Sequence, residues 1–489
     1  VKVNPNIAGK TKDNNPSRLL VAGLSGGSGK TILSIGLVRH WTLNGYLISP
    51  FKKGPDYIDA VWLSRAAERT ASNLDPFLML DKSMQALFFS RSVGSDIAFI
   101  EGNRGLFDGK DVYGQTSTAS LASLLNCPVL LIIDCTKMTR TAAAVVQGCI
   151  SFDPRIKILG VVLNRTSGNR HRNILRQCIE AYTDVPVLGA MPRLESPLIP
   201  ERHMGLISDQ EYEADQAIEN IAGFVKKWVD TEEILKKAST EVNEVVNQTL
   251  EWPPGIETNQ HLLIGVVKDT SLWFYYPENL EALKQAGADL IELSLSSNDP
   301  WPEIHGLYLG GGFPETQAGQ ISKNQNLKAH IFHLCQKGIP IYAECGGLMY
   351  LCDSLEWGQE NFSMVGIFSC QAQLLSYPQG HGYIEAEVIA ENPFHVTGSC
   401  FRGHEFHYSR CCHWENIRID RCLALKKGVG IENGRDGLLY RNTFASYTHL
   451  HALSSPNWAR NFVRAADIYK SSMRYGNEQC PDIVAKFGG

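Results

Sequence analysis

In VAGLSGGSGKT, residues 21–31, glycines crowd ahead of a lysine and a threonine, directly after an apolar run. Gly26, Gly27 and Gly29 let the backbone turn tightly enough to aim N–H groups at phosphate oxygens. A helix opening at Lys30 adds partial positive charge, the lysine can reach the outer phosphates, and the Thr31 hydroxyl suits Mg2+. This is the chemistry of nucleotide binding. The loop is irregular: position 24 is Leu, and the glycine expected there stands one residue earlier, at Gly23.

Two further stretches bring carboxylates. SPFKKGPDYIDAVWL carries Asp56 and Asp59 around Tyr57, and FIEGNRGLFDG carries Glu101 and Asp108. Such groups could hold Mg2+ or position a substrate, because hard cations prefer oxygen ligands. Capping of a helix by Asp56 or Asp59 is the competing use.

A different chemistry belongs to IYAECGGLMY, residues 341–350. Apolar and β-branched residues before Cys345 suit a buried strand, and the residues after its two glycines suit a helix. A thiol on such a turn is exposed, and a helix N-terminus behind it favours the thiolate. The Gly346 amide could donate to an oxyanion, with a second donor from LGGGFPE near Gly312 and Phe313. A general base could come from ASYTHLHAL, where His449 and His451 alternate so that an extended segment points only one of them at the site. His404 and His407 in GHEFHYS, with Glu405 between them, are rivals.

The elements around these residues fall into two halves. From Leu19 to about Phe224, near-continuous apolar runs (RLLVAGL, GYLISPF, DIAFIEG, CPVLLIID, IKILGVVLNR, VPVLGAMP) alternate with helical patterns, the signature of a parallel sheet covered on both faces. The phosphate loop and both carboxylate stretches end such strands, where ligands collect in open α/β sheets. Residues 225–260 lose the apolar strands and read as a charged helical linker ending at Pro253, Pro254 and Gly255. A second α/β domain with antiparallel additions is expected over 261–489, and residues 1–18 read as a polar tail.

A length of 489 residues accommodates two large cores, and 46 basic residues against 51 acidic ones, with no basic block, argue against a nucleic-acid partner. No apolar run is long enough to cross a bilayer and the polar start lacks a secretory core, so the chain reads as cytoplasmic. The thirteen cysteines lie mostly in apolar segments with no CxxC pair, and adjacent Cys411 and Cys412 read as strand residues rather than metal ligands.

These blocks, with NLDPF at 73–77, VVLNR, PERHMGL, DTSLWFYYPENL and RGHEFHYS, resemble the cobyrinate a,c-diamide synthase family along both halves. The resemblance implies an amino-terminal ATP-binding domain like dethiobiotin synthetase and a carboxy-terminal domain like the class I (triad) glutaminases. It implies that Cys345 attacks glutamine with His449 as base, and that ATP and Mg2+ activate a tetrapyrrole carboxylate as an acyl phosphate for ammonia to displace. By motif match, Thr31 and Glu101 would contact the metal, Asn164 the adenine, and Asp56, Tyr57, Asp59 and Asp108 the substrate side. Two departures stand out. The triad glutamate expected two residues beyond the histidine is His451, which leaves a dyad or an orienting group from elsewhere. After GPDYID the family's usual Pro and nearby His are replaced by AVWLSRAAER, on the substrate side. Cobyrinate is the expected macrocycle, with siroheme or a sirohydrochlorin as alternatives, in a monomer or homodimer. A nucleotide-switch ATPase and a non-catalytic tetrapyrrole binder are the readings from other classes; Ser25, where a switch would carry a signature lysine, disfavours the first.

Overall fold

A computed structural model describes residues 16–194, 196–199, 201–202, 205–206, 214–240, 249–258, 260–297, 299–414 and 420–474. The tail through residue 15, much of PERHMGL and residues 241–248 of the expected linker lie outside the described residues. The chain forms two compact units that divide at Glu251 and Trp252.

The first unit is built on a seven-stranded sheet. Its strands are β1 (Ser17–Gly23), β2 (Ile48–Lys53), β3 (Ser72–Leu74), β4 (Ile97–Gly105), β5 (Val129–Asp134), β6 (Ile158–Thr166) and β7 (Val187–Pro192), in the order β3-β2-β4-β1-β5-β6-β7. Every pairing is parallel. The apolar runs are buried on both faces, as a parallel sheet requires: Leu19, Leu20, Val21, Leu130, Leu131 and Ile132 have no exposed surface. The short edge strand β3, within the NLDPF region, has too few residues to declare itself by periodicity. The order reverses on either side of β1, and its carboxyl end is the crevice in which such sheets bind ligands.

Helices Ala214–Trp228 and Thr231–Ser239 pack on this unit. Gly36 lets Val225 approach so closely that a Cβ there would lie 2.3 Å from it, and Trp41 donates its indole N–H to the Thr231 carbonyl at 3.3 Å. Through residue 240, the stretch expected to link the domains is therefore part of the first unit: its apolar stripe, Ile221, Val225 and Ile234, needs a surface to cover. Ile256 already belongs to the second unit, donating to the Ala286 carbonyl at 3.1 Å.

The second unit is mixed. In its ten-stranded sheet Leu262–Val267, Ala288–Leu293, Gly306–Leu309, Ile341–Glu344 and Thr443–Ser446 pair in parallel, and the sheet continues antiparallel through Arg435–Tyr440, Asp420–Lys427, Gly380–Val388, Cys400–His407 and His449–Leu450. A smaller four-stranded sheet carries Cys352–Trp357, Glu360–Ser363, Phe368–Leu374 and Ser409–Cys412. Pairing of Ile341–Glu344 with Thr443–Ser446 sets Glu344 beside Ser446, so the segments after both strands leave the sheet side by side.

Candidate active site

At the end of β1 the loop Ser25–Gly29 leads into helix α1 (Lys30–Leu43). Gly27 and Gly29 have φ of 68° and 98°, left-handed backbone that a side chain would oppose. Lys30 folds back, donating to the carbonyls of Ser25 at 2.9 Å and of Arg104, at the end of β4, at 2.8 Å. Burial and then nearby Lys52 hold its pKa below the usual lysine value. The lysine is thus poised over the loop with its ammonium in a cage of oxygens that phosphate oxygens could replace.

Beside it, the Thr31 hydroxyl donates to Glu101 Oε1 at 2.8 Å and lies 3.5 Å from Asp59 Oδ2. Lys52, from β2, bridges the same two carboxylates at 2.5 Å to Asp59 and 2.8 Å to Glu101. Burial alone would lower the lysine's pKa, but Asp59, Glu101 and Asp56 raise it above the ordinary value. Glu101 is pushed up by burial, against the pull of Lys52. Glu101 Oε2 is buried without a hydrogen-bond partner among the described residues. An oxygen so placed, with Thr31 and Asp59, fits a hard divalent cation.

The remaining residues expected here separate. Asp56 caps helix α2 (Tyr57–Ala67), accepting from the Asp59 amide at 3.0 Å, and burial followed by the Asp59 charge pushes its pKa up to about 7. The capping role was the competing use read from the sequence, and it falls to Asp56, while Asp59 faces Lys52 and Thr31. Tyr57 opens α2 and is buried. Asp108 accepts from the Gly105 amide at 2.9 Å, closing its own turn. Asn164 donates to the Ser28 carbonyl at 2.9 Å and packs on Gly29, where a Cβ would meet its Nδ2 at 2.3 Å. It supports the phosphate loop from β6.

In the second unit Cys345 holds φ 45° and ψ −97°, between the strand Ile341–Glu344 and the helix Gly346–Leu351. A non-glycine residue in that conformation is strained, and such strain is typical of a nucleophile turned out from an elbow. The glycine loop lies against it: a Cβ at Gly346 would come 2.9 Å from the Gly312 nitrogen, and the Gly347 amide donates to the Gly310 carbonyl at 3.1 Å. The strand Leu272–Phe274 of DTSLWFYYPENL pairs with Gly311–Gly312 and fixes the loop, while Phe313 packs on Phe274 with ring centroids 5.2 Å apart. A Cβ at Gly311 would lie 2.4 Å from His449 Cε1. One loop therefore touches both the elbow and the histidine.

The thiol differs from the expectation of an exposed, standing thiolate: Cys345 is buried, with 5% of its surface accessible. Burial, then the charges of Glu315 and Glu344, push Cys345 above the ordinary cysteine value, and the Gly346 amide opposes them only in part. The helix behind it, Gly346–Leu351, is too short to offset that desolvation. A thiol held protonated requires a base at the moment of attack.

His449 faces Glu344. Its Nδ1 lies 3.5 Å from Glu344 Oε2, and both side chains are buried. Glu344 Oε1 accepts from the Leu450 amide and the Tyr308 hydroxyl, each at 3.3 Å. Burial raises the Glu344 pKa and His449 works against that. Asp436 holds the backbone before the histidine, accepting from the amides of Tyr447 at 3.1 Å and Thr448 at 3.0 Å. His451 turns to another buried carboxylate, Glu278, at 3.5 Å. His404 stacks on His449 with centroids 4.8 Å apart, and burial followed by the two neighbouring histidines lowers its pKa, keeping it neutral. His407 stacks on Tyr447 and bonds the Ser409 carbonyl.

Lys52, Glu344 and Asp436 escaped the sequence reading. The first two had a signal, a charged residue inside or ending an otherwise apolar strand; Asp436, in GRDGLLY, had none.

A strained cysteine elbow with a histidine–carboxylate pair, joined in one chain to a nucleotide-binding parallel sheet, defines a two-domain glutamine amidotransferase. Residues 19–207 match the CobQ/CobB/MinD/ParA nucleotide binding domain, and residues 263–457 the CobB/CobQ-like glutamine amidotransferase domain. A cobyrinate a,c-diamide synthase from Magnetococcus marinus is 36% identical over 455 residues, 91% of this chain and 96% of that protein. One from Archaeoglobus fulgidus is 37% identical over 451 residues, 92% of this chain and 97% of that protein. The chain belongs to the cobyrinate a,c-diamide synthase family. Among the described residues no helix is long and apolar enough to cross a membrane.

Proposed function

We propose that the protein amidates the a- and c-acetate carboxylates of cobyrinate, with ATP and glutamine as co-substrates. The observation that carries this reading is the Glu344–His449 pair set beside the Cys345 elbow, in a chain that also holds the Lys30–Thr31–Glu101 cluster.

In the glutaminase reaction, with Nδ1 turned to Glu344, the His449 Nε2 accepts the Cys345 proton as sulfur attacks the glutamine amide carbon. Amides of Gly346 and the Gly312–Phe313 turn receive the oxyanion. His449 returns its proton to the departing nitrogen, ammonia leaves, and water then hydrolyses the glutamyl thioester to glutamate and the free thiol. At the other site a substrate acetate attacks the γ-phosphorus of ATP, ADP departs, and ammonia displaces phosphate from the acyl phosphate to give the carboxamide. Activation is needed because a carboxylate alone offers no adequate leaving group. Lys30 and the loop amides stabilise charge on the phosphoryl group in flight. Thr31, Glu101 and Asp59 would hold Mg2+, which when bound supplies further positive charge to the phosphates. Tyr57 and Asp108 would help to position the carboxylate-bearing substrate. The cysteines, free where described, suit a reducing compartment, and we place the protein in the cytoplasm.

The test supplies cobyrinate with ATP and either glutamine or ammonium, and weighs the product by mass spectrometry. Cys345→Ser should lose glutamine-dependent amidation and keep the ammonium-dependent reaction; Lys30→Ala should lose both. A wild-type chain that amidates sirohydrochlorin but not cobyrinate would overturn the substrate assignment.

A further inference from the structure

Cys352, Cys370 and Cys411 converge inside the second unit. Cys352 ends the elbow helix and opens the strand Cys352–Trp357, which pairs with Phe368–Leu374, which pairs in turn with Ser409–Cys412. Their sulfurs all lie within 4.8 Å of one another, with Cys370 and Cys352 only 3.5 Å apart. Relative exposures are 0%, 1% and 8% for Cys352, Cys370 and Cys411, so bulk water does not separate them. Among the described residues this is the one group of three or more Cys, His, Asp or Glu side chains with ligand atoms so close together.

Thiols are weak donors and weak acceptors, so three of them facing one point gain little from bonding each other. They do offer converging lone pairs of soft donors, the kind that selects Zn2+ or Cu+ over hard cations. A metal–sulfur distance of about 2.3 Å puts ligand sulfurs about 4 Å apart, so the observed separations change by less than about 1 Å on loading. Cys411 also borders an open cavity with His407, Cys412 and Trp414, which gives an ion a route in.

We propose that Cys352, Cys370 and Cys411 form a three-thiolate site for a soft d10 cation, Zn2+ or Cu+. Binding replaces three thiol protons, released to solvent, with three metal–sulfur bonds and involves no oxidation. The Tyr447 hydroxyl, 3.7 Å from Cys411 Sγ, supplies an outer contact. Cys412 points elsewhere, with its sulfur 3.7 Å from the Gln371 carbonyl. The strand-residue reading of the adjacent pair therefore stays with Cys412, while Cys411 takes a ligand's role. Three ligands from three strands leave no spacing motif, which is why the sequence does not announce the site. It stands independently of the amidotransferase reading.

The full-length chain, reduced and metal-free under anaerobic conditions, is titrated with Co2+ as a spectroscopic probe of a Zn2+ site, and with Cu+ against a competing chelator. One equivalent of at least one ion should bind, Co2+ with a thiolate-to-cobalt band in the near ultraviolet, and the melting temperature should rise. Cys370→Ser and Cys411→Ser should each weaken binding by about 100-fold or more, while Cys412→Ser and Cys345→Ser leave it unchanged. Should a ligand variant fail to fold, alkylation of the wild-type chain decides: bound metal should protect Cys352, Cys370 and Cys411 together. Preference for Cu+ or for Co2+ distinguishes the ion, and either supports the site. Failure of the wild-type chain to bind one equivalent of either ion, binding that persists in both ligand variants, or protection of other cysteines instead would overturn it.

Discussion

Glu344 Oε2 lies 3.5 Å from His449 Nδ1, placing the histidine's carboxylate neighbour immediately before Cys345. The position two residues beyond the histidine, where a triad glutaminase carries its glutamate, is His451, and that ring faces Glu278 at 3.5 Å. The carboxylate facing His449 thus comes from the strand before the cysteine elbow and not from the histidine's own segment. Such a carboxylate fixes the ring's tautomer and stabilises the imidazolium that forms during proton transfer.

Glu344→Gln should therefore lower glutamine-dependent turnover by about 100-fold or more while ammonium-dependent amidation continues. Steady-state rates with each nitrogen source check this. Equal losses with both would place Glu344 in folding rather than in glutamine hydrolysis.

Gly311→Ala tests the glycine loop. The added methyl would lie 2.4 Å from His449 Cε1, so the ring must shift from its place. Glutaminase activity should fall by about 10-fold or more, because small misplacements of a base are costly. ATP binding by the full-length variant should be unchanged, as measured by nucleotide titration.

Lys52→Met should destabilise the ligand-free chain by about 3–5 kcal/mol, since it leaves the Glu101 and Asp59 carboxylates facing each other without their shared cation. Denaturant titration measures the loss. Adding Mg2+ should recover part of it, and Lys52→Met combined with Glu101→Gln should cost less than Lys52→Met alone.

Asp56→Asn gives a pH signature. A folded-state pKa of about 7, against an ordinary value near about 3.9, means that the fold favours the protonated acid. Its stabilising contribution is full below about pH 4 and is lost as pH rises through the folded-state value. Asparagine keeps the helix cap without the charge. The variant's melting temperature should thus gain on the wild type between about pH 4 and pH 7, by a few degrees, and hold that gain at higher pH. A difference that does not vary with pH would remove Asp56 as the cause.

Much of both sites was readable because the groups act through their own backbone. The phosphate loop, Lys30 and Thr31 lie within one turn, and the Cys345 elbow follows from an apolar strand running into two glycines. The choice between Asp56 and Asp59 was not readable: both sit at one helix start, and the helix begins at Tyr57, which makes Asp56 the cap and leaves Asp59 in the first turn to face Lys52. The same holds for the four candidate histidines, sorted by the carboxylates, rings and carbonyls they meet.

By itself, the sequence determined the two α/β halves, the glycine-rich turn ahead of Lys30 and the strand-to-helix turn at Cys345, because strand periodicity and glycine conformation are local properties. The tertiary structure alone decided which carboxylate orients His449, which lysine neutralises Glu101, and that three cysteines distant in sequence share one point. Those depend on strand order and register, which bring residues together from opposite ends of a domain through contacts that no short window of sequence contains.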